Sequence, residues 1–156
     1  MPFGAPFKLG PFTVDSGGRL SPGEPDKIPA FLFRWRDHLV RARLTQASPS
    51  DGRLALQSTL GRVPSTAGAS DETLRRRSFS VLRWLPRIVP PGWRVLLLAD
   101  HRVRLETETC IALPITAAAL ITEITRFLLA LGPYLDLLDE EGLTALGTEA
   151  DDSRAA

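Results

Sequence analysis

The sequence predicts an α+β domain built as one antiparallel sheet with helices on one face, in the order β-β-β-α-β-β-α. Three observations carry that expectation. From Phe31 to Leu44, from Arg53 to Val63 and from Arg102 to Leu113, apolar residues alternate with polar or charged ones, the period of a strand with one solvated face. From Leu74 to Leu85 and from Leu120 to Leu131, apolar residues recur instead at helical spacing. Proline, glycine and aspartate turn signals separate these stretches.

Taken in order, residues 1–30 are rich in proline and glycine and include the turn signal Asp15-Ser16-Gly17-Gly18. They are expected to form an irregular arm with at most a short hairpin, Phe12 to Val14 against Arg19 to Leu20, held on the body by Phe3, Phe7 and Phe12. Phe31, Phe33 and Trp35 then share one side, and after a turn at Asp37-His38 the alternation resumes with Val40, Ala42 and Leu44. Arg34, Arg36, Arg41 and Arg43 fall on the other side, so this hairpin has a basic, solvated face. Ser48-Pro49-Ser50-Asp51-Gly52 is a turn. A third strand, Arg53 to Val63, directs Leu54, Leu56, Ser58 and Leu60 inward, and Pro64 ends it.

Ser70 can cap a first helix whose opening turn holds Asp71 and Glu72, where negative charge suits the helix dipole. Leu74, Ser78, Val81, Leu82 and Leu85 make its inner face, and Pro86, Pro90 and Pro91 terminate it. Trp93 to Ala99 and Arg102 to Leu113 form a second hairpin around Asp100-His101. Thr116 caps the last helix, which presents Leu120, Ile121, Ile124, Phe127, Leu128 and Leu131 until Gly132-Pro133 stops or kinks it. A short helix from Tyr134 to Glu141 follows. The expected organisation is therefore an arm (1–30), a single α+β domain (31–146) and a flexible acidic tail (147–156).

A chain of 156 residues, 44% hydrophobic and 24% charged, suits one domain. One cysteine allows no intramolecular disulfide, and with no cluster of Cys or His beside it there is no zinc motif. Met1-Pro2-Phe3-Gly4 lacks the layout of a signal peptide. The apolar run Ile111 to Leu131 is broken by Pro114, Glu123 and Arg126, so it reads as a buried helix rather than a membrane span. The expectation is a cytoplasmic protein with no membrane partner.

The formal net charge of +1 hides an asymmetry. Residues 1–33 are neutral, 34–104 carry +9, and 105–156 carry −8. Seventeen of the nineteen basic residues are arginine, the side chain whose fork grips carboxylates and phosphates in pairs of hydrogen bonds. The two charged halves either neutralise each other within the fold or mark a basic face for a partner.

Candidate chemistry is thin. His38 and His101 each follow an aspartate at a hairpin tip, where a structural role in the turn outweighs metal binding or proton transfer. Cys110 lies opposite the Val103-Leu105 face without a neighbouring base, so it is expected to be a small packed residue. Ser16, Ser65 and Ser70 sit in turn or cap contexts outside any nucleophile elbow. Gly17-Gly18 is followed by Pro22 and Pro25 rather than by a helix, which excludes a phosphate loop. Glu106 and Glu108 share a strand face with Arg102 and Arg104 and read as a charge ladder. No catalytic residue, cofactor or metal is predicted.

The sharpest surface feature is on the first helix. Arg76, Ser80, Arg83 and Arg87 recur on one face, with Arg75 and Arg77 beside it. Arg76, Arg83 and Arg87 are the candidate partner-binding residues. The stripe is either the ordinary solvated face of an amphipathic helix or a grip for an acidic protein segment, for the chain's own C-terminal tail or, as the alternative function, for the phosphates of a nucleic acid. No exposed aromatic residues interleave the stripe, which makes nucleic acid the less favoured partner.

The two halves echo each other: Asp37-His38 matches Asp100-His101, and Val63-Pro64 matches Leu113-Pro114. This order, with Leu60-Gly61-Arg62-Val63-Pro64 after the third strand and Leu113-Pro114-Ile115 before a helix carrying Phe127-Leu128, resembles the type III secretion chaperone-like fold. That fold also houses a bacterial sensory-transduction-regulator family. The resemblance spans residues 31–140. It implies a curved antiparallel sheet with helices on one face, often a homodimer, and a non-enzymatic role in binding a protein or effector segment. The Pro/Gly-rich start and the basic middle depart from a working secretion chaperone, which begins with an amphipathic helix and is acidic throughout.

Overall fold

A computed structural model describes residues 4–64 and 71–141. Its elements are β1 (Phe7–Leu9), β2 (Phe12–Val14), β3 (Leu20–Pro22), β4 (Ala30–Trp35), β5 (His38–Gln46), β6 (Asp51–Arg62), α1 (Asp71–Ile88), β7 (Arg94–Leu97), β8 (Arg102–Ala112) and α2 (Ala117–Glu140). From β4 onward the order is the expected β-β-β-α-β-β-α. The chain has the α+β fold read from its periodicities.

Strands β4 to β8 form a five-stranded antiparallel sheet in the order β4-β5-β6-β8-β7. Hairpins join β4 to β5, β5 to β6 and β7 to β8. The excursion through α1 and β7 brings β8 back beside β6, along which it pairs from Asp51↔Ala112 to Arg62↔Arg102, with a bulge between Thr59 and Gly61. Alternation then decides which side is covered. Val40, Ala42, Leu54, Leu56, Leu60, Val103, Leu105 and Ile111 point inward and are buried. Val81, Leu85 and Val89 of the α1 region and Leu120, Phe127, Leu131, Leu135 and Leu138 of α2 meet them in one core. Both helices therefore lie on the same face, and among the described residues the opposite face of the sheet is left open.

Specific contacts fix the two helices. Thr116 caps α2 as expected, its hydroxyl accepting from the Ala119 N–H at 3.1 Å. Trp93, just before β7, packs its ring 5.2 Å from Phe127 and 6.1 Å from Tyr134. The Tyr134 hydroxyl donates to the Ile88 carbonyl at 2.9 Å, tying α2 to the end of α1. Arg36, in the β4–β5 turn, donates to the Gly132 carbonyl at 3.2 Å and pairs with Asp136, which anchors that turn to α2.

Several expectations are corrected. Residues 7–22, read as an irregular arm with at most one hairpin, form a three-stranded meander. Phe12, Val14 and Leu20 of this small sheet belong to the core. Backbone hydrogen bonds from Leu20 N to Ile115 O at 2.8 Å and from Ala117 N to Gly18 O at 2.9 Å stitch it to the entrance of α2. The last helix does not end at Gly132-Pro133: α2 is continuous to Glu140, because Leu135 and Leu138 extend the buried stripe while the Pro133 ring faces solvent. Likewise α1 passes Pro86 and ends at Ile88. The proposed Ser70 cap, the turn serine Ser65 and the acidic tail at 147–156 lie outside the described residues.

By length and composition α2 could cross a membrane, and it is the single described helix of which that is true. Here it supplies Leu120, Phe127, Leu131, Gly132, Leu135 and Leu138 to the core.

Candidate functional site

The open face of the sheet is an arginine ladder. Because side chains directly opposite each other in an antiparallel pair share a face, the register builds the surface row by row. One row runs Leu32, Arg41, Gln57, Glu106, Arg94 across all five strands. The next runs Ala30, Arg43, Ala55, Glu108. On the other side Arg34 stands opposite Leu39, and Arg104 stands opposite Thr59 on one flank and Leu96 on the other. Arg53 and Arg102 extend the set along β6 and β8.

The arginines divide into two groups. On β6, β7 and β8 they are paired. Arg53 donates to Glu108 at 2.9 Å and Arg94 to Glu106 at 3.1 Å, while Arg104 Nε lies 2.8 Å from the other Glu106 oxygen. That last contact lacks hydrogen-bond geometry, so the buried Arg104 N–H is an ion-pair partner without being a satisfied donor. On β4 and β5, Arg34, Arg41 and Arg43 make no ion pair among the described residues. Positive charge is left uncompensated on that half of the face.

Two adjoining clefts open there. One, of about 560 Å³, has Arg41, Arg43, Arg94 and Arg104 on its walls with Gln57, Glu106 and Glu108. A smaller one, of about 190 Å³, adds Arg102 and the apolar side chains Leu32, Leu39 and Leu98. Arg41, Gln57 and Arg104 border both. Such a surface offers planar bidentate donors for anions and apolar patches between them.

At the β7–β8 turn, the Asp100 carboxylate accepts from the Arg102 backbone N–H at 3.1 Å and from its guanidinium. Burial works to raise this carboxyl's pKa. The two hydrogen bonds from Arg102, with the charges of Arg102 and Arg62, outweigh it and hold the pKa below the ordinary aspartate value. Asp100 thus stays ionised and keeps the Arg102 side chain in place at the rim of the smaller cleft.

The residues singled out in the sequence are not brought to this face. Arg76, Arg83 and Arg87 are exposed on α1, which packs on the other side of the sheet. Arg76 is paired with Glu72 one turn earlier at 2.6 Å. Arg83 and Arg87 make no ion pair among the described residues. Arg75 lies over the Phe79 ring at 5.2 Å.

The two histidines part company. The β4–β5 turn is Arg36-Asp37, both at positive φ (49° and 63°), so His38 is the first residue of β5 rather than a tip residue. It is buried, with Nδ1 3.0 Å from the Thr59 carbonyl oxygen. His101 does occupy its turn, at φ 67°. Cys110, expected to be packed, is exposed, since its position on β8 faces the open side of the sheet. Among the described residues no group of three or more His, Cys, Asp or Glu side chains could hold a metal ion.

The sequence signal for the open face was the alternation of Arg34, Arg41, Arg43, Arg102 and Arg104 with apolar residues. Each strand taken alone looked like an ordinary solvated surface. Only the pairing of β6 with β8 brings the two hairpins' arginines onto one surface. Neither a protein-family model nor a curated protein matches the chain.

Proposed function

We propose that this chain is a non-enzymatic, cytoplasmic binding domain that holds an acidic segment of a protein partner on the open face of its sheet. The observation that carries the reading is the uncompensated group Arg34, Arg41 and Arg43 beside two clefts, on the face that the helices leave uncovered. The β-β-β-α-β-β-α order is compatible with the secretion-chaperone-like family, whose members bind protein segments without catalysis.

A protein partner is favoured over nucleic acid by what lies between the arginines. Leu32, Leu39 and Leu98 offer apolar contact, and Glu106 and Glu108 would repel a continuous phosphate backbone. Stacking platforms, which single-stranded nucleic acid uses, are missing from the clefts' described walls. The α1 arginines supply the alternative: Arg83 and Arg87 are available for phosphates on the opposite side of the molecule.

Fluorescence anisotropy separates the readings. The labelled probes are a peptide repeating Glu-Ser-Leu-Ser, which in extended form presents glutamate and leucine on one side, and a single-stranded oligonucleotide of similar length. The expected result is peptide binding that weakens with added salt but persists at physiological ionic strength, and negligible oligonucleotide binding under the same conditions. Tight oligonucleotide binding with a steep salt dependence would replace the proposal with the nucleic-acid reading.

A further inference from the structure

We propose that Glu106 is a resident counter-carboxylate of the open face: an acidic side chain of the partner displaces it from Arg104, and Arg41 and Gln57 complete the partner's carboxylate site. The inference rests on the reading of this face as the interface for an acidic protein segment, and names where and how its first carboxylate is held.

The geometry of Glu106 motivates it. Its two oxygens are divided between two arginines: Oε2 accepts from Arg94 at 3.1 Å and Oε1 lies 2.8 Å from Arg104 Nε. The contact with Arg94 is a hydrogen bond, whereas that with Arg104 is not, and the Arg104 N–H is buried without a hydrogen-bond partner. A buried donor in that state gains when a better-placed acceptor arrives. Arg41 stands in the same row, opposite Gln57, which stands opposite Glu106. Arg41, Gln57 and Arg104 together border both clefts.

An arriving carboxylate therefore finds one arginine without an ion pair, one amide and one poorly satisfied guanidinium. The exchange conserves charge and moves no proton. The partner's carboxylate takes the Arg104 contact, and Glu106 keeps its hydrogen bond to Arg94. The sheet's own pairs, Arg53 with Glu108 and Arg94 with Glu106, are carboxylate–guanidinium contacts of the kind the partner would make. The leucines beside the site suit an apolar residue two positions along an extended segment from the acidic one, because alternate side chains of such a segment share a side.

The test measures affinity of the full chain for the labelled Glu-Ser-Leu-Ser repeat peptide. Glu106→Gln removes the competitor and is expected to tighten binding about two- to fivefold, the range for one solvent-screened ion pair. Glu108→Gln makes the same charge change on the same face but touches Arg53, so its gain is expected to be smaller. Arg41→Gln is expected to weaken binding with either residue at position 106. A second measurement needs no variant: in the wild-type chain, the Arg104 Nε–H resonance shifts on adding peptide.

Equal gains from Glu106→Gln and Glu108→Gln, or an Arg104 resonance unmoved at saturation, would overturn the exchange while leaving the interface reading in place. Absence of peptide binding by the wild type and all variants would overturn both.

Discussion

Ser58 and Asp100 each bear on the stability of the fold through a single polar group. Ser58 is 1% exposed on the inner face of β6, opposite Val40 and Leu105, and its hydroxyl has no hydrogen-bond partner. Replacing it with alanine removes an unsatisfied polar group, so Ser58→Ala is expected to raise unfolding stability by about 1 kcal/mol in urea denaturation. Asp100 concerns pH. Its pKa is depressed in the fold, so its stabilisation is present above the unfolded value near about 4 and is lost as pH falls through the lower folded value. Asp100→Asn should therefore melt lower than wild type at neutral pH, by a few tenths of a kcal/mol after solvent screening, and the gap should close in acid. Residue identities on the inner face were legible because alternation assigns them. His38 was misplaced because the hairpin turn is formed by Arg36 and Asp37, and arginine at positive φ leaves no sequence mark.

Among the elements, α2 carries the clearest energetic signature. Leu131 is fully buried beside Gly132-Pro133, where a helix end was expected. Leu131→Ala is expected to cost about 2–5 kcal/mol, as deep core truncations do. Thr116→Ala, which removes the cap hydrogen bond, costs about 1 kcal/mol. Both are read from chemical denaturation midpoints. The cap and the periodic stripe of α2 were legible in the sequence. Its length was not, because a proline lacking the backbone N–H looks like a terminator until tertiary burial of Leu135 and Leu138 outweighs that loss. The small sheet was hidden for a related reason. Its strands are three residues each, too short for alternation to show, and its stability comes from covering Phe12, Val14 and Leu20 against the rest of the core. A chain lacking residues 1–22 should accordingly lose its cooperative thermal transition and bind a hydrophobic dye, since about 1.5–3 kcal/mol for each of those side chains is comparable to a domain's whole stability.

For the whole molecule, the division of charge along the chain now has a geometry. Arg53, Arg94 and Arg104 of the basic middle pair with Glu106 and Glu108 of the acidic end, and Arg36 pairs with Asp136. Neutralisation within the fold is therefore real but partial, and what it leaves over lies in two places among the described residues, Arg34, Arg41 and Arg43 on β4 and β5 and Arg83 and Arg87 on the far side on α1. The sequence identified an arginine surface on α1 because helical periodicity displays it within one segment. The surface on the sheet is assembled from strands far apart in the chain, and no single segment reveals it. In the proposed function partner binding lies on the sheet, opposite the helix stripe, and one comparison tests that placement directly: anisotropy of the labelled acidic peptide with wild type, with Arg41→Glu/Arg43→Glu, and with Arg83→Glu/Arg87→Glu. All these side chains lie on the surface, and the two double variants change net charge equally. Binding by the sheet variant is expected to be at least tenfold weaker, the loss from about 1.4 kcal/mol spread over two reversed charges, and that by the helix variant to stay near wild type. Loss of binding in the helix variant with the sheet variant unaffected would contradict it.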